Sequence, residues 1–301
     1  MKAFKSFFDL TSAPDMKPKG AAATDGQIEE IAARIKDADA IIIGAGSGMS
    51  SAAGYNHYHD NAVFRKYFGD FAEHYGFDGM FEGLYHLYGT HEEEWAYIAR
   101  YMNFMYEAPT GKNYADLKEI IGEREYYILT TNVDMQFERV FPKERICTFQ
   151  GDFGYFQCSQ PCHDKLYPSE ETVKELCANT ENFRVPYDLI PRCPECGRIM
   201  SPWVRDTNFL EGEHWQAGYR AYKAFADGCK DKKVVFLELG VGDMTPSIIK
   251  LPFWGMTQTY KDAFYISVNM AKPEAPSHIA DKSMAIAEDI ASFLERVKAV
   301  I

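Results

Sequence analysis

Apolar residues recur at Ile28, Ile31, Ala32 and Ile35 behind a capping Thr24 or Asp25, a spacing that predicts a helix over residues 24–40. "AIIIG" (40–44) follows as a short, fully buried strand running into glycines. Residues 60–110 place aromatics at three- and four-residue intervals with few β-forming runs, which predicts an inserted helical subdomain over about 60–112. "EYYILTTN" (125–132) reads as a second buried strand, "DMQFERVF" (134–141) as a short helix and "ERICTFQG" (144–151) as a third strand. Between about 152 and 206 this rhythm is lost, and cysteine, proline and charge dominate an inserted module. A helix at 213–228, strands at 233–240 and 263–269, and a final helix over 279–299 complete the pattern. Apolar strands alternating with helices predict an α/β fold, a Rossmann-like doubly wound parallel sheet covered on both faces. A catalytic domain over 23–301 would follow an N-terminal extension, residues 1–22.

Composition narrows the function classes. The 301 residues are 46% hydrophobic and 15% aromatic, with a net charge of −12 and no local basic stripe, so a duplex-binding role is disfavoured. No apolar run approaches the roughly 18 residues of a membrane span. The first 20 residues carry Asp9 and Asp15 and lack a sustained apolar stretch, which argues against a secretory signal. The expectation is a cytoplasmic protein with small-molecule or protein partners. Seven cysteines, an odd count without an export signal, favour metal ligation or buried thiols over a disulfide framework.

Four of those cysteines have metal spacing. Cys158 and Cys162 are separated by three residues, and Cys193 and Cys196, in "PRCPECGR", by two. Two such knuckles make a tetrahedral site of four thiolates, and four protein ligands leave no open position, which marks the zinc as structural. His163 is an alternative to Cys162. Cys147, Cys177 and Cys229 have no partner at such spacing.

"IIIGAGSGMSSAAG" (41–54) follows a strand with small residues that let backbone N–H groups approach a phosphate. A strict G-x-G-x-x-G fails, because Met49 or Ser51 stands where the last glycine belongs, and no acidic strand end follows about 20 residues on. A hydride-transfer dehydrogenase is therefore disfavoured. Three further segments, "TTNVD" (130–134), "FQG" (149–151) and "LGVGDMTP" (239–246), and the "SVN" at 267–269, sit at strand ends, where open α/β sheets bind ligands.

This ordered set resembles the sirtuin family. "GSGMSSAAG" (46–54) is similar to its glycine loop, "TNVD" to its "QNID", the four cysteines to its zinc module, "GVG" to its "GTS" and "VN" to its "IN", over roughly residues 26–270. Three departures stand out. The family's "PDFR" is replaced by "NHYH" (56–59), its catalytic histidine by Gln150, and its peptide-gripping stretch by "SPWVRDTNFLEG" (201–212). With "QCSQPCH" and "PFW", these changes look like the macrodomain-linked class M sirtuins, protein ADP-ribosyltransferases. That resemblance implies NAD as co-substrate, a lipoylated glycine-cleavage-H-like carrier as acceptor, and a separate macrodomain hydrolase in the same pathway.

The resemblance also implies the site. Asn132 would orient the nicotinamide ribose or the attacking group, and Asp134 would hold the nicotinamide carboxamide. Gly46, Ser47, Gly48 and Ser50 would line the pyrophosphate, with Gly240, Val241, Gly242 and Asn269 near the adenosine half and Thr131 as a further cofactor-binding residue. Gln150 would hold ribose hydroxyls: an amide donates and accepts hydrogen bonds but cannot carry a proton away. Taken singly, Gln150 reads as a hydrogen-bonded strand-end residue, Asn132 as a turn residue and Asp134 as a helix N-cap. Phe64 and Arg65 read as a core aromatic and a surface charge. Two other functions fit these residues: an NAD-dependent lysine deacylase working through a bound water, and a non-catalytic NAD or ADP-ribose sensor.

Overall fold

The computed structural model describes residues 21–301; most of the expected N-terminal extension lies outside them. Helix α1 (Asp25–Asp37) begins at Thr24, whose hydroxyl accepts the Gln27 N–H while the Gln27 side chain returns to the Thr24 N–H, a capping box. It turns Ile28, Ile31, Ala32 and Ile35 inward, and strand β1 (Ala40–Ala45) follows, buried at all six positions.

The chain continues through α2 (Ser47–Ala52), α3 (Ala62–Tyr75), α4 (Met80–Leu84), α5 (His91–Glu107) and α6 (Lys112–Ile121) to β2 (Glu125–Thr130) and β3 (Ile146–Thr148). A small antiparallel sheet comes next, β4 (Gly151–Cys158), β5 (Tyr167–Pro168) and β6 (Met200–Val204), with α7 (Glu170–Ala178) between β5 and β6. The chain then returns to the main sheet with α8 (Glu213–Asp227), β7 (Lys233–Leu239), α9 (Lys250–Thr259), β8 (Asp262–Val268), β9 (Ser283–Ile286) and α10 (Ile290–Val300).

The main sheet has the order β3-β2-β1-β7-β8-β9, every pair parallel. Counted within that sheet alone, the order is 3-2-1-4-5-6, the Rossmann arrangement, and the direction of winding reverses between β1 and β7. Helices α1, α6 and α10 cover one face through Ile31, Leu117 and Phe293. Helices α8 and α9 cover the other through Tyr222 and Phe253.

The two insertions share a core. Phe64, Phe68, Trp95 and Tyr97 of the helical layer pack in one cluster with Phe153, Phe156, Val173 and Leu176 of the cysteine module. Trp95 meets Phe156 edge-on at 5.5 Å between centroids, and Arg184 pairs with Glu93 at 2.6 Å. Together they form one lobe beside the sheet.

Several sequence expectations need correction. Residues 279–299 are not one helix: a 3-10 turn (Ser277–Lys282) leads into edge strand β9 before α10 begins. Three of the four β9 residues are incompletely buried, so the strand lacks an apolar signature. The third strand spans only Ile146–Thr148, and the stretch after Asp134 forms a 3-10 turn, Phe137–Arg139, rather than an α-helix. Helix α9 escaped the periodicity because Pro252 and Gly255 interrupt it; Pro252 is tolerated in the first turn, where no intrahelical N–H bond is lost.

Candidate active site and cysteine cluster

The turn after β2 is built around a buried polar chain. Asn132 donates from Nδ2 to the Gly46 carbonyl (3.0 Å) and to Ser50 Oγ (3.1 Å). The Ser50 hydroxyl in turn donates to Asp134 Oδ2 at 2.5 Å, and Asp134 Oδ1 accepts the Gln136 N–H at 3.2 Å. Asp134 is therefore no helix cap but the end of this chain, with Met135 beyond it in the left-handed region at φ 59°. The Asn132 amide cannot be flipped, since its oxygen would then face the Gly46 carbonyl.

Asp134 is 4% exposed and lies among Tyr55, Tyr101, Tyr114 and His57. Burial pushes all three phenols above their usual range, and the Asp134 charge adds to it, so they remain neutral donors at physiological pH. Burial holds the His57 imidazole below its ordinary value, against the pull of Asp134, and its Nδ1 lies 3.0 Å from the Tyr101 hydroxyl. The turn that carries His57 is stapled by Asn61, whose Nδ2 donates to the carbonyls of Asn56 and His59 and whose Oδ1 caps α3. Phe64 is buried in that helical layer, and Arg65 is an exposed partner of Asp60. Both occupy the places their residue types suggested.

Gln150 stands beside this chain. The Phe149 N–H donates to the Thr130 carbonyl and the Phe153 N–H to that of Val133, both at 3.0 Å, which sets 149–153 against the Asn132 turn. The Gln150 side chain is half-buried and makes no hydrogen bond within the described residues. Its carbonyl accepts the Arg205 N–H, and the Arg205 guanidinium sits among Phe149, Phe209 and Trp215. Gly151 follows at φ +75°; a Cβ there would lie 2.0 Å from the Trp203 carbonyl, so only glycine fits.

Two residues past Gln150, Asp152 is 2% exposed, with Oδ1 accepting the Gly154 N–H at 2.8 Å. Burial, and after it the charge of Glu138, pushes its carboxyl up to about 7. Sequence reasoning missed this group, although a carboxylate directly after "QG" was the available signal.

At the switch point, Gly46, Gly48, Gly240 and Val241 converge. A Cβ on Gly48 would lie 2.5 Å from Gly240 Cα, and the Gly48 and Gly46 N–H groups donate to the carbonyls of Gly240 and Leu239, both at 3.0 Å. These glycines therefore have a reason in loop-on-loop packing that requires no phosphate. Ser47 stands at the start of α2, and the Thr131 N–H donates to the Ala45 carbonyl at 3.0 Å. Asn269 donates from Nδ2 to the Val241 carbonyl and accepts the N–H groups of Ala271 and Lys272, while Gly242 is exposed with open space around it.

The four cysteines also come together. Sγ atoms of Cys158 and Cys196, and of Cys162 and Cys193, lie 3.6 Å apart, and all four fall within 4.8 Å of one another. Tetrahedral zinc thiolates with bonds of about 2.3 Å put sulfurs about 3.8 Å apart, so the set fits a structural zinc. The Cys196 thiol is drawn down to about 6, chiefly by the Arg198 backbone N–H. His163, the alternative to Cys162, lies beside the cluster, with Nδ1 3.6 Å from Cys162 Sγ and Nε2 2.6 Å from the Tyr167 hydroxyl, while the four thiols form the convergent set. Cys147 and Cys229 are buried free thiols, and Cys177 is a half-buried one.

Comparison with known proteins decides the family. A protein ADP-ribosyltransferase of Staphylococcus aureus is 32% identical over 272 residues, 89% of this chain and 86% of that protein. The chain belongs to the protein ADP-ribosyltransferases. A probable bifunctional ADP-ribose hydrolase/ADP-ribosyltransferase of Fusarium oxysporum f. sp. cubense is 29% identical over 237 residues, 72% of this chain and 38% of that longer protein. Among solved structures, a Sir2 enzyme bound to a propionylated peptide superposes with TM-score 0.58 at 17% identity, covering 91% of this chain and 98% of its own. A Sir2 variant solved with a p53 peptide and NAD gives 0.52 at 18%, covering 90% and 97%. Likeness at that identity establishes the sirtuin fold. No family model matches the chain. The four-cysteine cluster of the transferase fits a structural zinc. None of its helices among the described residues is long and apolar enough to cross a membrane.

Proposed function

We propose that the transferase moves ADP-ribose from NAD to a side chain of a lipoylated, glycine-cleavage-H-like carrier protein and releases nicotinamide. The supporting observation is the half-buried Gln150 amide, without an internal hydrogen bond, beside a network whose phenols stay protonated. The bond between ribose C1′ and the nicotinamide nitrogen breaks with its electron pair leaving on nicotinamide, through a state that needs orientation and electrostatic support rather than a base. Asn132 Oδ1 and the Gln150 amide would hold ribose hydroxyls, and Asp134 would hold the carboxamide of the leaving group. The acceptor side chain then bonds to C1′, and any proton it carries passes to solvent.

Ser47, Gly46, Gly48 and Thr131 would line the pyrophosphate, with Gly240, Val241, Gly242 and Asn269 at the adenosine half. Ser50, engaged by both Asn132 and Asp134, acts better as their joint than as a phosphate ligand. The Fusarium relative, whose name joins hydrolase and transferase, is in keeping with a mark that a macrodomain partner removes.

The test is adenine-labelled NAD offered in parallel with the lipoylated carrier, the unlipoylated carrier and an acetyl-lysine peptide. Label fixed covalently on the carrier, strongest when it is lipoylated, is the expected result. Deacetylated peptide with an unlabelled carrier would mean that Gln150 is no obstacle to deacylation. Binding of NAD without nicotinamide release would favour a sensor.

A further inference from the structure

Lys250 is 1% exposed, and a buried ammonium needs a reason. Its Nζ lies 3.4 Å from Asp243 Oδ1 and 3.4 Å from Glu274 Oε2. The second oxygen of each carboxylate is taken by Lys272, whose Nζ is 2.8 Å from Asp243 Oδ2 and 2.8 Å from Glu274 Oε1. The four groups close a ring of alternating charge. Asp243 belongs to the loop after β7, and Lys272 and Glu274 to the loop after β8, while Lys250 opens α9 behind both. Beneath the ring, Ser267 donates to Glu238, which also accepts the Tyr265 hydroxyl, and the Glu274 N–H reaches Ser267 Oγ at 3.4 Å.

The ring ties those loops together. So does Asn269, which bonds the Val241 carbonyl and the N–H groups of Ala271 and Lys272. Outside the ring the connection is thin: Gly242 has open space around it, and Met244 is exposed. Lys272 is half exposed, so its two pairs are open to water and salt. Lys250 is the buried member of the ring, at 1% exposure against 54% for Asp243 and 31% for Glu274.

We infer that Lys250 is a positioning residue that clasps the β7 and β8 loops in the geometry needed by the adenosine half of NAD. This rests on the placement of the adenosine half at Gly240, Val241, Gly242 and Asn269. A clasped pair of loops binds nucleotide without first being ordered, so loss of the clasp lowers affinity by the fraction of time the loops are misplaced. It leaves the nicotinamide end, built on Asn132, Asp134 and Gln150, in place.

The experiment is amide hydrogen exchange of residues 241–247 and 270–276, with and without NAD, combined with steady-state kinetics, on wild type and Lys250→Met. NAD is expected to protect both loops in the wild type. Lys250→Met is expected to speed their exchange and raise KM for NAD roughly tenfold, with kcat changed less than about twofold. Unprotected loops in the wild type would overturn the adenosine placement and the clasp with it. Protected loops combined with wild-type exchange and KM in Lys250→Met, or a fall in kcat at constant KM, would overturn the clasp alone. Should Lys250→Met not fold, Glu274→Gln opens one corner of the ring at a 31% exposed side chain. It should then loosen residues 270–276 and raise KM in the same direction, and wild-type behaviour would again overturn the clasp.

Discussion

Asn132 is the residue on which the site turns, because one side chain ties the glycine loop to the carboxylate. Its two N–H bonds, to Gly46 and to Ser50, position Oδ1 and hold Ser50 against Asp134. Asn132→Ala should therefore lower nicotinamide release by roughly 10²–10³-fold, the range for removing one preorganised transition-state contact. Because the turn keeps its backbone bonds, the melting temperature should change little; a calorimetric scan beside a nicotinamide-release assay checks both. The residue types at 132, 134 and 150 were legible from their strand-end positions. The role of Ser50 was not, since a serine in a glycine loop reads equally as a phosphate contact or as a joint. The joint is seen only in the fold, as the 2.5 Å bond from Ser50 to Asp134.

At the level of elements, the β1–α2 turn and the β7 loop are fitted backbone to backbone. A methyl group on Gly48 would meet Gly240 Cα at 2.5 Å and its carbonyl at 3.0 Å, and no flexible side chain can yield there. Gly48→Ala should cost about 1–3 kcal/mol, as overpacking does, read as a lower denaturation midpoint at constant slope. Strand β4 carries a second element-level prediction, at Asp152. Its carboxyl is raised to about 7 by burial and by Glu138, against about 4 in an unfolded chain. Between those values the folded state keeps a proton that the unfolded state has lost, so stability falls as pH rises through that window. Asp152→Asn keeps an acceptor for the Gly154 N–H and removes the titration. Thermal unfolding at pH 5 and pH 8 should show the wild type losing stability across the interval and the variant losing less. A pH dependence identical in both would mean that Asp152 does not carry that proton.

At the scale of the molecule, the cysteine cluster holds more than its own module. Cys158 and Cys193 belong to the same buried cluster as Trp95, Phe153, Phe156 and Val173, so the metal site and the helical layer share one core. Metal analysis should find about one zinc per chain. Cys193→Ser should lose the zinc and lower the melting temperature of the whole lobe rather than merely slow turnover. A metal-free protein of undiminished stability would remove the zinc from the account. The sequence by itself determined the parallel α/β sheet, the set of four metal-spaced cysteines and the strand-end residues, because these depend on local signals: apolar runs of strand length, two-to-three-residue cysteine spacing, and chemistry at loop starts. Tertiary structure alone decided that the two insertions form one lobe, that β9 forms the sheet edge, and that glycines after β1 and β7 serve packing. It also gathered Lys250, Asp243, Lys272 and Glu274 into a ring. Each of these depends on contacts between segments distant along the chain, and burial and charge pairing across such distances leave no periodic trace in the order of residues.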